Sequence, residues 1–229
     1  MTEQAKAPLV KKLNLKRRFV ADGVFQAELN DFFMRHIAEE GYCGLEIRVT
    51  NQFTEIRIRA TKTKEIIGEK SQRLNALTAL ISKRFGYDEA TNKVTINVKS
   101  VERRGLSAHA QAESIKHKLM LGFPVRVVAH SALRYIMSNN AIGAEIRVSG
   151  KLRGERAKDA YYRAGYRVST GQPKIDYSDI AVRHVGLKQG IVGVKVTIMI
   201  PYNLGVEGIP NKPLPDVIEM VGDKPIIPA

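Results

Sequence analysis

Apolar residues recur along this chain with two different periods, and the switches between them lay out the elements. Phe25, Leu29, Phe32, Phe33 and Ile37 recur at helical spacing after Asp22, a residue suited to an N-cap, and Gly41 ends the run. Period two then takes over. Leu45, Ile47 and Val49 share one face of a predicted strand. Ile56 and Ile58 share one face of a second, with Arg57 and Arg59 opposite, and Asn51-Gln52-Phe53 makes the turn between them. A short helical segment leads into a turn at Gly68. Leu74, Leu77, Ile81 and Phe85 form the next helical stripe, and Val94, Ile96 and Val98 a third strand.

Arg103-Arg104-Gly105 reads as a joint after this α+β unit. Two helices follow it. The first places Ala108, Ala112, Ile115 and Leu119 on one face. The second begins after Pro124 and buries Val125, Val128, Ala129, Ala132, Leu133 and Ile136, while Arg126, His130 and Arg134 form a polar ridge. Four strands are predicted beyond, around 144–149, 166–169, 179–184 and 192–200. Between the first two, residues 149–158 carry four cations (Lys151, Arg153, Arg156 and Lys158) and one anion, too polar for a core element. The expected fold class is α+β. It comprises a basic N-terminal arm (1–20), a first domain (21–103), a second domain of two helices on a four-stranded sheet (104–200), and a tail (201–229). The tail holds six of the nine prolines and is expected to run extended along a protein partner.

Charge narrows the function. The net charge is +14 and the pI about 9.9, a surplus that repels itself unless a polyanion neutralises it. Nucleic acid fits better than a membrane, because the cations are spread along the chain and no apolar run is long enough to span a bilayer. Residues 1–20 contain no apolar leader, and the single cysteine, Cys43, cannot build a disulfide framework; a reducing compartment, cytosol or nucleus, is expected. Aromatic residues are few and tryptophan is absent, which argues for cation–phosphate contacts over base stacking. Phosphate-loop, dinucleotide and zinc-protease motifs are missing, the histidines are scattered, and no cofactor or metal is expected.

Two stretches carry candidate chemistry. Ile66-Ile67-Gly68-Glu69-Lys70-Ser71-Gln72-Arg73 is a polar turn that opens a helix. Its glycine admits a phosphodiester, the helix N-terminus adds unpaired N–H groups, and Lys70 and Arg73 add charge. This is the layout of a KH module, with Ser71 in place of the last glycine. The arm, with Lys11, Lys12, Lys16, Arg17 and Arg18, reads as an RNA contact; a nuclear-import signal and a plain solvated tail are the other readings.

Several blocks together carry a resemblance. They include Arg18-Phe19-Val20-Ala21-Asp22-Gly23, Ile67-Gly68-Glu69-Lys70, Arg104-Gly105-Leu106-Ser107-Ala108, Val148-Ser149-Gly150-Lys151-Leu152-Arg153-Gly154, Ala181-Val182-Arg183-His184-Val185 and Lys212-Pro213-Leu214-Pro215-Asp216. In this order, over nearly the whole chain, they resemble the eukaryotic form of small-subunit ribosomal protein three. The resemblance implies a non-enzymatic protein of the small-subunit head with a KH domain of ribosomal type. It implies rRNA-binding through Lys11, Lys12, Lys16, Arg17, Arg18, Gly68, Glu69, Lys70, Ser71 and Arg73. It further implies an mRNA entry channel lined by Arg126, His130, Lys151, Arg153, Arg156 and Lys158, which retains and unwinds incoming mRNA.

Implied partners are small-subunit rRNA, mRNA, neighbouring head proteins and, through the C-terminal region, the WD-repeat scaffold protein of the head. The implied location is the cytoplasmic ribosome, with nuclear and nucleolar passage during assembly. The family's basic pair is here Arg126-Val127, and His130 stands where bacterial relatives carry a cation, so the gripping ridge is thinner. Ser71 is expected to cap the following helix, favouring docking on folded rRNA over a single-strand grip. An extra-ribosomal single-strand binder and a lysine-based abasic-site lyase are the alternative functions.

Overall fold

The computed structural model describes residues 14–50, 53–87, 93–152, 154–205, 209–214 and 218. Helix α1 (Leu15–His36) begins at Asn14, about two turns before the expected start. Lys16, Arg17 and Arg18 are therefore helical, and Asp22 is an interior residue instead of a cap. The early turns are built from Leu, Lys and Arg, which favour helix, yet Leu15, Phe19 and Val20 stay exposed. With no buried stripe in these turns, the periodicity pointed to a later start.

Strands β1 (Tyr42–Val49) and β2 (Phe53–Ala60) pair antiparallel, and β3 (Lys93–Ser100) joins β2 in parallel. The parallel step needs a crossover, supplied by α2 (Thr63–Ile67) and α3 (Gln72–Phe85). The central strand is the most deeply buried: Ile56 and Ile58 are fully covered, each contributing about 2 kcal/mol through burial. They face Leu29, Phe33, Ile66 and Ile81 from the helices. The Phe25 ring meets Phe85 edge-on at 4.6 Å, and Arg84 pairs with Glu28 at 2.7 Å, locking α1 to α3.

The second half places α4 (Ala108–Met120) and α5 (Val125–Ser138) on one face of an antiparallel sheet. Its strands are β4 (Gly143–Gly150), β5 (Lys158–Gly165), β6 (Ser178–Leu187) and β7 (Gly190–Met199), in the order β5-β4-β7-β6. The buried face is Ala144, Ile146, Val148, Val194, Val196 and Ile198 against Ala112, Ile115, Leu119, Val128, Ala132 and Ile136. The opposite face is open to solvent around Arg147 and Tyr161, and covered at the Thr197 and Met199 end.

Three departures from expectation occur here. The strand expected at 166–169 lies instead at 158–165, so Lys158 is the first residue of β5, paired with Gly150. An edge strand whose inward residues are only Ala160, Tyr162 and Ala164, and whose outward residues are Asp159, Tyr161 and Arg163, looks like loop in sequence. A short helix α6 (Gly171–Tyr177) was not anticipated; its Pro173 lies in the first turn, where proline is tolerated. The start of the tail also folds back. Leu214 packs with Tyr177 and Met199, and the Tyr177 hydroxyl donates to the Lys212 carbonyl at 2.8 Å, so this part covers its own domain.

The halves meet where α4 begins. Asp179 of β6 accepts from the Ala108 N–H at 2.7 Å, and the Ser107 hydroxyl accepts from Ala110 at 3.4 Å, capping α4 from two sides. Arg104 donates to the Thr61 carbonyl at 3.2 Å across the joint. A cavity of about 420 Å³, lined by Cys43, Arg59, Leu106 and Asp179 among others, lies between the halves.

Candidate nucleic-acid interface

The turn between α2 and α3 is built by backbone conformation. Gly68 has φ 70° and ψ 179°, and a Cβ there would lie 3.0 Å from the Arg73 Cβ. Lys70 (φ 49°) and Ser71 (φ 59°) are consecutive left-handed residues, a conformation that costs non-glycine residues about 1 kcal/mol each. Ser71 thus keeps the shape that a glycine adopts easily. It does not do what was expected of it: its hydroxyl makes no capping bond to α3, because the left-handed backbone turns it away from the β-region geometry that a cap requires.

Arg73 has an internal role that its spacing did not suggest. Its Nη2 sits 2.6 Å from Oε1 of the buried Glu40, and its Nη1 donates to the Glu65 carbonyl at 3.1 Å. The guanidinium joins the α1–β1 turn, α2 and the glycine turn, so much of its bonding capacity is spent internally. Glu69 and Lys70 are exposed at the tip. Lys16, Arg17 and Arg18 are exposed on the first turns of α1, while Lys11 and Lys12 lie outside the described residues.

The second cluster sits on the C-terminal half. Arg126, His130 and Arg134 are exposed along α5, as the spacing predicted. The His130 ring meets Tyr162 of β5 edge-on, centroids 5.3 Å apart, which fixes the ridge beside the strand that leaves the polar loop. Lys151, Arg156 and Lys158 are exposed, and none of them is among the ion pairs of the described residues; Arg153 lies outside those residues. The open sheet face adds a feature that the sequence reading missed. Tyr161 is flanked by Arg147 at 5.0 Å and Arg163 at 5.6 Å, with Arg147 also paired to Asp159. The alternation Asp159, Tyr161, Arg163 was its only sequence signal. Ser149 and then Arg147 hold the Asp159 carboxyl below the usual carboxylate range.

Exposed cations, a left-handed glycine turn at a helix start and two α+β halves define an RNA-binding protein whose first half is a KH module. The comparisons agree. Residues 28–106 match the KH domain family, and residues 115–198 match the family described as ribosomal protein S3, C-terminal domain. The small ribosomal subunit protein uS3 of Schizosaccharomyces pombe is 48% identical over 212 residues, spanning 93% of this chain and 83% of that protein. The chain belongs to the uS3 family, in its eukaryotic form. It is accordingly a structural, non-enzymatic protein of the small ribosomal subunit, and its partners include rRNA and neighbouring ribosomal proteins.

Proposed function

We propose that the chain lines the mRNA entry side of the small subunit and helps to retain and unwind incoming message. The observation that carries this reading is one end of the C-terminal half. The first turn of α5 with Arg126, the loop holding Lys151 and Arg156, and Lys158 at the start of β5 gather there without carboxylate partners among the ion pairs of the described residues. Cations in this state are free to meet phosphates, and such contacts hold a strand without reading its sequence. A channel that passes every message needs that property. His130 serves through its edge-on packing on Tyr162, which holds the ridge against β5.

The α1 cations and the KH turn dock on rRNA in this reading, with Lys70 the phosphate ligand and Arg73 the brace behind it. Head proteins, among them the WD-repeat scaffold, cover the C-terminal region. The protein passes through the nucleus and nucleolus before it works in cytoplasmic ribosomes. Arg126→Ala with Lys151→Ala should weaken mRNA retention in assembled small subunits without blocking assembly. Crosslinking to entry-side mRNA and toe-printing measure this; unchanged crosslinks would refute the proposal.

A further inference from the structure

The turn that joins α4 to α5 displays large apolar side chains to solvent. Met120 is 59% exposed, Leu121 63%, Phe123 53% and Val127 60%. Single exposed apolar residues are ordinary, but four within eight positions form a patch that calls for an occupant. The turn is held in shape: Leu121 donates to the His117 carbonyl at 3.1 Å, Gly122 to Leu119 at 3.0 Å and Phe123 to Lys118 at 3.2 Å. The side chains are thus presented by a fixed backbone.

Topology fixes what surrounds them. Helix α5 connects to β4 through the short segment 139–142 and packs back along it, so the start of α5 lies over the end of β4. Gly150 pairs with Lys158 and Leu187 with Gly190, which brings the 151–157 loop and the turn at Lys188 to the same end of the sheet. Val125, Leu152 and Leu187 pack on the same core cluster beneath. The apolar tip therefore shares one end of the domain with Lys118, Arg126, Lys151, Arg156, Lys158 and Lys188. Within residues 118–127, 150–158 and 187–191 the one acidic residue is Glu155.

We infer that Phe123, with Leu121 and Val127 beside it, is a stacking platform for bases of single-stranded RNA whose phosphates run along the surrounding cations. The inference rests on the proposed entry-side function and adds a second mode of grip to it. An end this basic selects a polyanion, and a half-exposed ring offers every base the same π-face, so the contact tolerates any sequence. Val127, exposed one position after Arg126, adds apolar surface for bases directly beside a cation for their phosphates. The low aromatic content of the chain as a whole hid this local arrangement.

The test uses assembled small subunits carrying the full chain and an unstructured mRNA with 4-thiouridine at entry-side positions. Phe123→Ala should raise mRNA dissociation about five- to tenfold and lower the crosslink, Phe123→Trp should restore both, and Phe123→Leu should not. Restoration by leucine, unchanged dissociation in Phe123→Ala, or loss of a neighbouring protein from the variant particle would overturn the inference. The last result would assign the patch to a protein. Arg126→Ala with Lys151→Ala runs in parallel. If that pair releases mRNA and Phe123→Ala does not, the stacking platform alone falls; if neither does, the entry-side function falls with it.

Discussion

Arg73 offers the sharpest separation of a brace from an RNA ligand. Replacing it with alanine removes the 2.6 Å contact to Glu40 and the bond to the Glu65 carbonyl. A charge-assisted bond contributes about 1.5–3 kcal/mol and an ordinary one about 1 kcal/mol. The Arg73 side chain is 42% exposed, so solvent screening reduces the first term to about 1 kcal/mol. Glu40 is only 11% exposed and its Oε2 already lacks a hydrogen-bond partner among the described residues, so an orphaned carboxylate adds a penalty of its own. The expected loss is at least about 2 kcal/mol, a fall of about 1 M or more in the urea midpoint of the N-terminal half.

The measurement is urea unfolding of the full chain without RNA, followed by circular dichroism, for Arg73→Ala, Glu40→Gln and the double variant. A coupling energy of about 1 kcal/mol is expected from the cycle. A pure phosphate ligand behaves in the opposite way: removing it from a chain of net charge +14 relieves self-repulsion and leaves the midpoint unchanged or higher. An unshifted midpoint, or a coupling below about 0.3 kcal/mol, refutes the brace.

Two further outcomes follow from the same geometry. Ser71→Ala should change stability by less than about 0.5 kcal/mol, since the hydroxyl caps nothing, and Ser71→Gly should raise it by about 0.5 kcal/mol by relieving the left-handed backbone; a loss of about 1 kcal/mol in Ser71→Ala would restore the capping role. Burial lowers the His109 pKa, with Asp179 opposing and Arg183 and Arg59 adding to the shift, and the ring lies 3.5 Å from Arg183 Nη2. The unfolded chain therefore binds the proton more readily, so this contribution is full above the ordinary histidine range and is lost as pH falls through the lowered value. His109→Gln should flatten the fall in stability that sets in as pH drops below the ordinary histidine range, and thermal unfolding measured as a function of pH checks it.

Much of the fold was legible because burial and backbone period are properties of neighbouring residues. The stripes Leu74, Leu77, Ile81 and Val128, Ala132, Ile136 named their helices, and Ile56 with Ile58 named the central strand. Strand β5 escaped because two of its three inward residues are alanines and its exposed positions are mostly charged. The exposed first turns of α1 escaped because they have no core to face. At the site, the glycine turn and the Arg126 ridge were readable from spacing alone. The left-handed Ser71 was not, since the choice between a cap and a φ of 59° depends on how α2 and α3 are held together.

Linear order therefore established a basic two-part α+β chain with a KH turn, because charge and periodicity survive without tertiary contacts. Folding decided which cations remain for RNA. Glu40 and Arg73, or Tyr161 between Arg147 and Arg163, come together only when distant elements pack, and a guanidinium tied to a carboxylate has that much less to offer a phosphate.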